Sequence, residues 1–232
     1  MKRFWEQVAV VPGDGGWRVT LDGRPMRTQG GAAQVVPTCE LAKMLAAEWS
    51  AQGEEVDPAA FPARDLADYA IDMVAPDKPA SVARVLRFAE TDTLCYRADP
   101  DEPLHKRQWA VWEPILADFE ARTGARLERV SGIVHKPQPV NSLATLRVRL
   151  DELDPFTLAA LELTTSLSAS LVVGFSALDP QSDPELLWEA AELEEHWQVE
   201  QWGSDARAEK RRDRRKADFL RAVAFAHAAR AD

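Results

Sequence analysis

The chain has 232 residues, of which 46% are hydrophobic and 28% charged, and its 28 basic against 38 acidic side chains leave a net charge of −10. That length and apolar content suit one large domain or two unequal ones and exclude disorder on the scale of a domain. Two distant cysteines, Cys39 and Cys95, form no CxxC and fit a reducing compartment; the longest apolar stretch, Phe156 to Phe175, contains Glu162 and six Ser/Thr residues and reads as a buried helix, not a membrane span.

The first ~35 residues read as β-structure. No signal peptide is visible, because Met1-Lys-Arg-Phe-Trp-Glu6 runs straight into a strand-like pattern. Val8 and Val10 alternate with small or polar residues, Pro12 to Gly16 makes a turn, and Trp17, Val19 and Leu21 alternate with Arg18 and Thr20. Asp22-Gly23 between such runs is a hairpin signal, which gives these two residues a structural role. Val35-Val36-Pro37 is a short extended piece and Thr38 a helix N-cap. Leu41, Met44, Leu45 and Trp49 then fall at helical spacing, placing Trp49 on a buried stripe. Helical patterns follow at 64–75, 80–90, 104–123, 155–174, 183–201 and 205–229, punctuated by prolines that often stand where a helix begins. The stretch 126–150 has no clear period, and Leu127 to Val134 reads equally as strand or loop. The expectation is an α+β protein: a small β-containing N-terminal domain over 1–58, then a helical C-terminal domain over 59–232.

The negative charge is local. Residues 150–206 contain no lysine or arginine and 13 carboxylates, so the rest of the chain carries 28 bases against 25 acids. Such a segment attracts basic surfaces and repels nucleic acid. The next segment, Arg207 to Arg221, holds eight basic and three acidic residues. It lacks interleaved aromatics and reads as a helix paired electrostatically with the acidic one, its apolar stripe made by Phe219, Leu220, Val223 and Ala226.

Signatures of an enzyme are missing. Gly13-Asp-Gly-Gly16 is a turn, not a dinucleotide fingerprint, and no phosphate loop or GxSxG elbow occurs. Glu189, Glu192 and His196 are the one set with a metal-like spacing, and a small metal-dependent enzyme is the alternative reading; no second pair completes a cage. The expectation is therefore no catalysis, cofactor or metal.

On a helical wheel over 183–201, Leu186, Ala190, Leu193 and Trp197 form one stripe with Leu187 on its flank. Glu189, Glu192 and Glu195 lie away from it. Glu194 falls at its margin, where loss of water makes an unpaired charge costly. Such a carboxylate takes either an internal cation, from the arginines at 207–215, or a group from another protein.

The chain resembles the assembly chaperones that handle the α subunit of the F-type ATP synthase catalytic head. The blocks that carry the resemblance are Lys2-Arg-Phe-Trp5, Leu21-Asp-Gly-Arg-Pro25, Val36-Pro-Thr38, Ala47-Glu-Trp49, Thr91-Asp-Thr-Leu-Cys-Tyr-Arg97, Trp112-Glu-Pro-Ile115 and the ending Leu193-Glu-Glu195, Gln198, Trp202-Gly203. The resemblance implies a monomeric cytoplasmic chaperone, inserted in no membrane and bound to no nucleic acid. Its partner would be the unassembled α subunit, held until a β subunit replaces it. The family's sensitive glutamate matches Glu194, and the partner-binding residues implied are Glu194, Glu195, Gln198 and Trp202, with Trp49 structural.

Overall fold

The computed structural model describes residues 2–132 and 134–231. Strands β1 (Val8–Gly13), β2 (Gly16–Leu21) and β3 (Arg24–Pro25) form an antiparallel sheet in that order, with Val10 opposite Val19. Asp22 and Gly23 turn β2 into β3 with φ of 50° and 76°, the left-handed pair that a tight hairpin demands. Asp22 also ties the turn down: its Oδ1 accepts from the backbone N–H of Glu6 (3.0 Å) and Gln7 (2.8 Å). Trp17 and Val36 exchange backbone hydrogen bonds of 2.8 and 2.9 Å. A Cβ on Gly16 would come within 2.3 Å of the Val36 carbonyl oxygen, so only glycine permits this approach.

Helix α1 (Cys39–Ser50) follows, capped by the Thr38 hydroxyl, which accepts from the Leu41 N–H at 3.0 Å. Then come α2 (Pro62–Tyr69), extended by a π turn over Ala70–Val74, and α3 (Lys78–Glu90). Strand β4 (Tyr96–Arg97) pairs in parallel with β5 (Val130–Ser131) on either side of the long α4 (Pro103–Thr123). The chain closes with α5 (Val140–Asp151), α6 (Pro155–Ser168), α7 (Leu171–Ser176), α8 (Pro184–Ala191), α9 (Leu193–Trp202) and α10 (Ala206–Ala229). The fold is α+β, a small N-terminal antiparallel sheet followed by a helical region, as the sequence led us to expect.

Three elements differ from the sequence reading. Most of a helix, α5, falls within the stretch 126–150, and the helical pattern over 155–174 breaks at Ala169, whose φ is 51°. Ser170 then caps α7 by accepting from the Val173 N–H at 3.0 Å. The pattern over 183–201 is likewise two helices, separated at Glu192.

The chain gathers into two compact units. One comprises the residues up to Lys78 with Asp154–Ala160 and those from Ala224 onward; the other comprises Pro79–Leu153 and Leu161–Val223. In the first, α1 lies on β1 and β2. Trp49 is 5% exposed, edge-on to Trp5 at 5.0 Å and tilted on Phe61 at 4.5 Å. In the second, α4 is central and touches α5, α7 and α9. Trp112, Leu116 and Phe119 of α4 are sealed from solvent, and the Trp112 Nε1–H donates to the Ala190 carbonyl at 2.7 Å. The same unit holds a wholly buried carboxylate, Asp92. It accepts from the Leu94 N–H (3.0 Å), the Ser170 hydroxyl (2.7 Å) and the Val172 N–H (3.0 Å), fastening a short 3₁₀ turn to the start of α7. Burial pushes its pKa up to about 6 despite these donors.

Candidate functional site

Helix α9 begins where α8 stops, and Glu192 occupies the break. It has non-helical backbone angles, serving as the last residue of one helix and the entry to the next. Glu192, expected on the solvated side, is instead 5% exposed, with its Oε1 3.8 Å from Arg215 Nη1. The stripe shifts as well: Leu187, Trp188, Ala190 and Leu193 are buried, whereas Leu186 is 67% exposed.

Within α9, at about 100° per residue, positions 194, 195, 198 and 202 fall inside a sector of about 100° and share one face. Glu195 and Gln198 on that face are exposed, and Trp202 is 79% exposed. Trp202 ends the helix beside Gly203, whose φ of 83° stops it. Glu194 is only partly exposed and is held from α4: Gln108 donates through Nε2 to Glu194 Oε1 at 2.6 Å. Gln108 is itself buried, and its Oε1 accepts from the Ala98 N–H at 2.9 Å, which fixes which way its amide points. Loss of water raises the Glu194 pKa, and the Gln108 bond offsets part of that rise. Among the described residues, no cation lies within ion-pair distance of Glu194.

Two cations of α10 are engaged by other groups. Lys216 reaches Glu189 at 2.8 Å and Glu185 at 3.3 Å, and Arg215 donates to the Leu167 carbonyl besides facing Glu192. The basic helix is thus paired with the acidic segment, as its composition implied, but with neighbours of Glu194 and not with Glu194. These pairs also dissolve the candidate metal set. His196 Nε2 lies 3.4 Å from Glu189 Oε2 while Glu192 faces Arg215, and the described residues contain no cluster of three or more His, Cys, Asp or Glu arranged to hold an ion. Gln108, which positions the glutamate, was not foreseen. It stands 86 residues away in sequence and carries no local signal.

The aromatic side chains of α4 and α9 extend the exposed surface. Trp109, one residue beyond Gln108, is 53% exposed, with the Arg97 guanidinium 5.0 Å from its ring centre. The Arg107 guanidinium stands 5.8 Å from the Trp197 ring and bonds Glu200 at 2.6 Å, a pin between the two helices. This surface offers a carboxylate with spare acceptor capacity and, on the same helix face, the exposed Trp202.

The ATP12 chaperone protein family model matches residues 2–120. The chain belongs to the ATP12 chaperone family. Its fold is that of Atp12 from Paracoccus denitrificans, whose crystal structure superposes with a TM-score of 0.93 at 35% identity and covers 99% of this chain and 98% of that one. The mitochondrial atp12 protein of Schizosaccharomyces pombe is 29% identical over 216 residues, 88% of this chain and 74% of the yeast protein. The mitochondrial ATP12 protein of Saccharomyces cerevisiae is 26% identical over 272 residues, 96% of this chain and 83% of its own length. Membership of the ATP12 family places the chain among the assembly chaperones of the ATP synthase. Among the described residues no helix is long and apolar enough to cross a membrane.

Proposed function

We propose that this chain binds the unassembled α subunit of the ATP synthase catalytic head in the cytoplasm and holds it soluble until a β subunit takes its place. It acts by occupancy and not by catalysis. An isolated α subunit exposes a large subunit interface that aggregates, and a binder lowers the free concentration of that sticky form. The observation that supports this reading is Glu194: a partly desolvated carboxylate with one neutral donor, Gln108, on the same helix face as exposed Gln198 and Trp202. A charge that has lost water without gaining a counter-ion is costly in the free protein. An arginine or backbone N–H of a visiting protein offsets that cost, so the interaction is worth more to the complex than a fully solvated surface charge would be.

Co-expression with α subunit alone, and with α and β together, followed by co-purification, tests the reading. The expected result is a complex with α that β displaces. Absence of any α complex refutes the assignment, and persistence of the chain in the finished enzyme marks it as a structural subunit instead.

A further inference from the structure

A groove of about 730 Å³ opens in the second unit on the opposite flank of α9 from the Glu194 face. One wall is a single face of α4, running from Arg107 through Val111, Pro114 and Ile115 to Asp118 and Arg122. The other is built by α8 and the start of α9, with Leu186, Leu187, Ala190, Leu193 and His196. The turn at 179–183, between α7 and α8, closes one end. On the α9 wheel, positions 193 and 196 lie roughly opposite the centre of the 194–198–202 face. Glu194 does not line the groove, so the two surfaces are separate.

The groove is apolar inside and acidic at its rim. Val111 is 36% and Leu186 67% exposed, and each presents a branched aliphatic side chain to water from an ordered helix that has ample polar alternatives. Four carboxylates border it, those of Asp118, Asp179, Asp183 and Glu189, against the two guanidiniums of Arg107 and Arg122. Arg122 is shared by Asp118 at 2.8 Å and Asp179 at 3.5 Å, and Arg107 is drawn to Glu200. The two guanidiniums are thus paired with this chain's own acids and Glu189 with Lys216 of α10, which leaves Asp183, whose Oδ1 accepts the backbone N–H groups of Glu185 and Leu186, as the rim carboxylate with no cation among the described residues. The α8 wall itself belongs to the 57-residue stretch with no lysine or arginine.

We infer that this groove is a second client-binding site, one that takes an apolar segment of the client carrying lysine or arginine. The inference rests on the chaperone reading above and names what that reading leaves open: the chemistry of the segment the chaperone covers. The aliphatic walls supply burial for the segment's apolar side chains, and the acidic rim sets the sign of charge that enters beside them. Two binding surfaces on separate flanks of one helix also make capture tighter than either contact alone, because the second contact forms within an encounter already made.

The test compares Leu186→Lys with Leu186→Glu in the full chain, with purified α subunit as the probe and thermal melting as the control for folding. Both variants remove the same aliphatic contact and differ only in the sign of the charge left at the groove mouth. Each is expected to weaken α-subunit binding by about tenfold or more, the cost of one well-buried leucine contact, with melting close to the parent. The Lys variant is expected to bind more weakly than the Glu variant, with the gap closing as salt is raised. Equal affinities, or the reverse order, overturn the inference. A photo-crosslinker at position 186 provides the second arm. Cross-links to an apolar client segment that includes lysine or arginine support it; cross-links to another copy of this chain, or to an acidic client segment, overturn it. Capture that survives both substitutions removes the groove while leaving the chaperone reading intact. Failure of the parent chain to hold α subunit removes both.

Discussion

Replacing Asp92 with asparagine isolates the most deeply buried carboxylate among the described residues. Its pKa is pushed up to about 6 by burial, against about 3.9 in an unfolded chain. Because the folded value is the higher, the folded state binds the proton more tightly. The contribution of this group to stability is fully present below about pH 4 and is lost as pH rises through 6. A separation of roughly two units corresponds to about 3 kcal/mol across that window. The whole protein's profile sums several groups: burial raises Glu48, Asp68, Glu192 and Glu194 in the same direction, whereas hydrogen bonds from the Gln7 and Glu6 amides hold Asp22 down. The difference between parent and Asp92→Asn cancels those shared terms. An amide nitrogen cannot accept from the Val172 N–H, so the variant starts with an offset of about 1–3 kcal/mol for the lost bond. That offset does not depend on pH. The variant should therefore gain roughly 2–2.5 kcal/mol relative to the parent between pH 4 and pH 7.5, read by urea unfolding at four or five pH values. A difference curve flat to within about 0.5 kcal/mol would show that the carboxylate is not paying for its burial, and the argument from desolvation fails with it.

Glu194→Lys should cost no more than about 1–3 kcal/mol in unfolding, the penalty for leaving the buried Gln108 amide without its acceptor; α-subunit capture should fall at least about tenfold, the loss of one charge-assisted contact. A large loss of stability in a thermal melt would assign the residue to internal structure. Trp49→Arg should behave in the opposite way. It removes an indole packed on Trp5 and Phe61 and places a guanidinium near Arg64, whose own lies 5.8 Å from the Trp49 ring, so a destabilisation of at least about 4 kcal/mol and insoluble expression are expected; a soluble, well-folded variant would contradict this. Asp22→Ala should lower the melting temperature while Asp22→Asn largely preserves it, because one oxygen accepts both amide bonds; equal melting of the two variants would show that the turn does not need the acceptor.

The hairpin was legible because its information is local. Asp22-Gly23 is a dipeptide suited to two consecutive left-handed residues, and the alternation of Trp17, Val19 and Leu21 sets which face turns inward. Trp49 was legible for a similar reason, since four apolar residues at helical spacing mark its stripe. Helix α5 was not. Leu146 and Leu150 are buried, but Val140 and Val148 are 80% and 57% exposed, so apolar residues fall on both sides and blur the period. The α8–α9 break was hidden because nothing in Ala191-Glu-Leu193 is a helix breaker. The break accompanies tertiary packing, with Trp188 against Phe219 at 5.3 Å and the Ala190 carbonyl taken by Trp112. A continuous wheel consequently put Glu192 outside and Leu186 inside, and the structure reverses both. The role of Gln108 needs the tertiary fold, for a neutral side chain on one helix gains meaning only when another helix arrives.

The same break explains how two glutamates, two residues apart, come to opposite ends. In one unbroken helix, positions 192 and 194 would stand about 200° apart, and turning either toward the basic helix would turn the other to open water. A single non-helical residue relaxes that constraint. Glu192 turns in to Arg215 and is nearly sealed, while Glu194 rests against α4 on a neutral amide. The one has a cation of its own chain; the other has lost water without gaining one. A carboxylate that is fully solvated has little to gain from a partner, and one already clamped by its own arginine has little left to offer. Glu194 stands between these limits, where a visiting cation changes the energy most, and the sequence achieves this by interrupting a helix at the residue that needs to be buried.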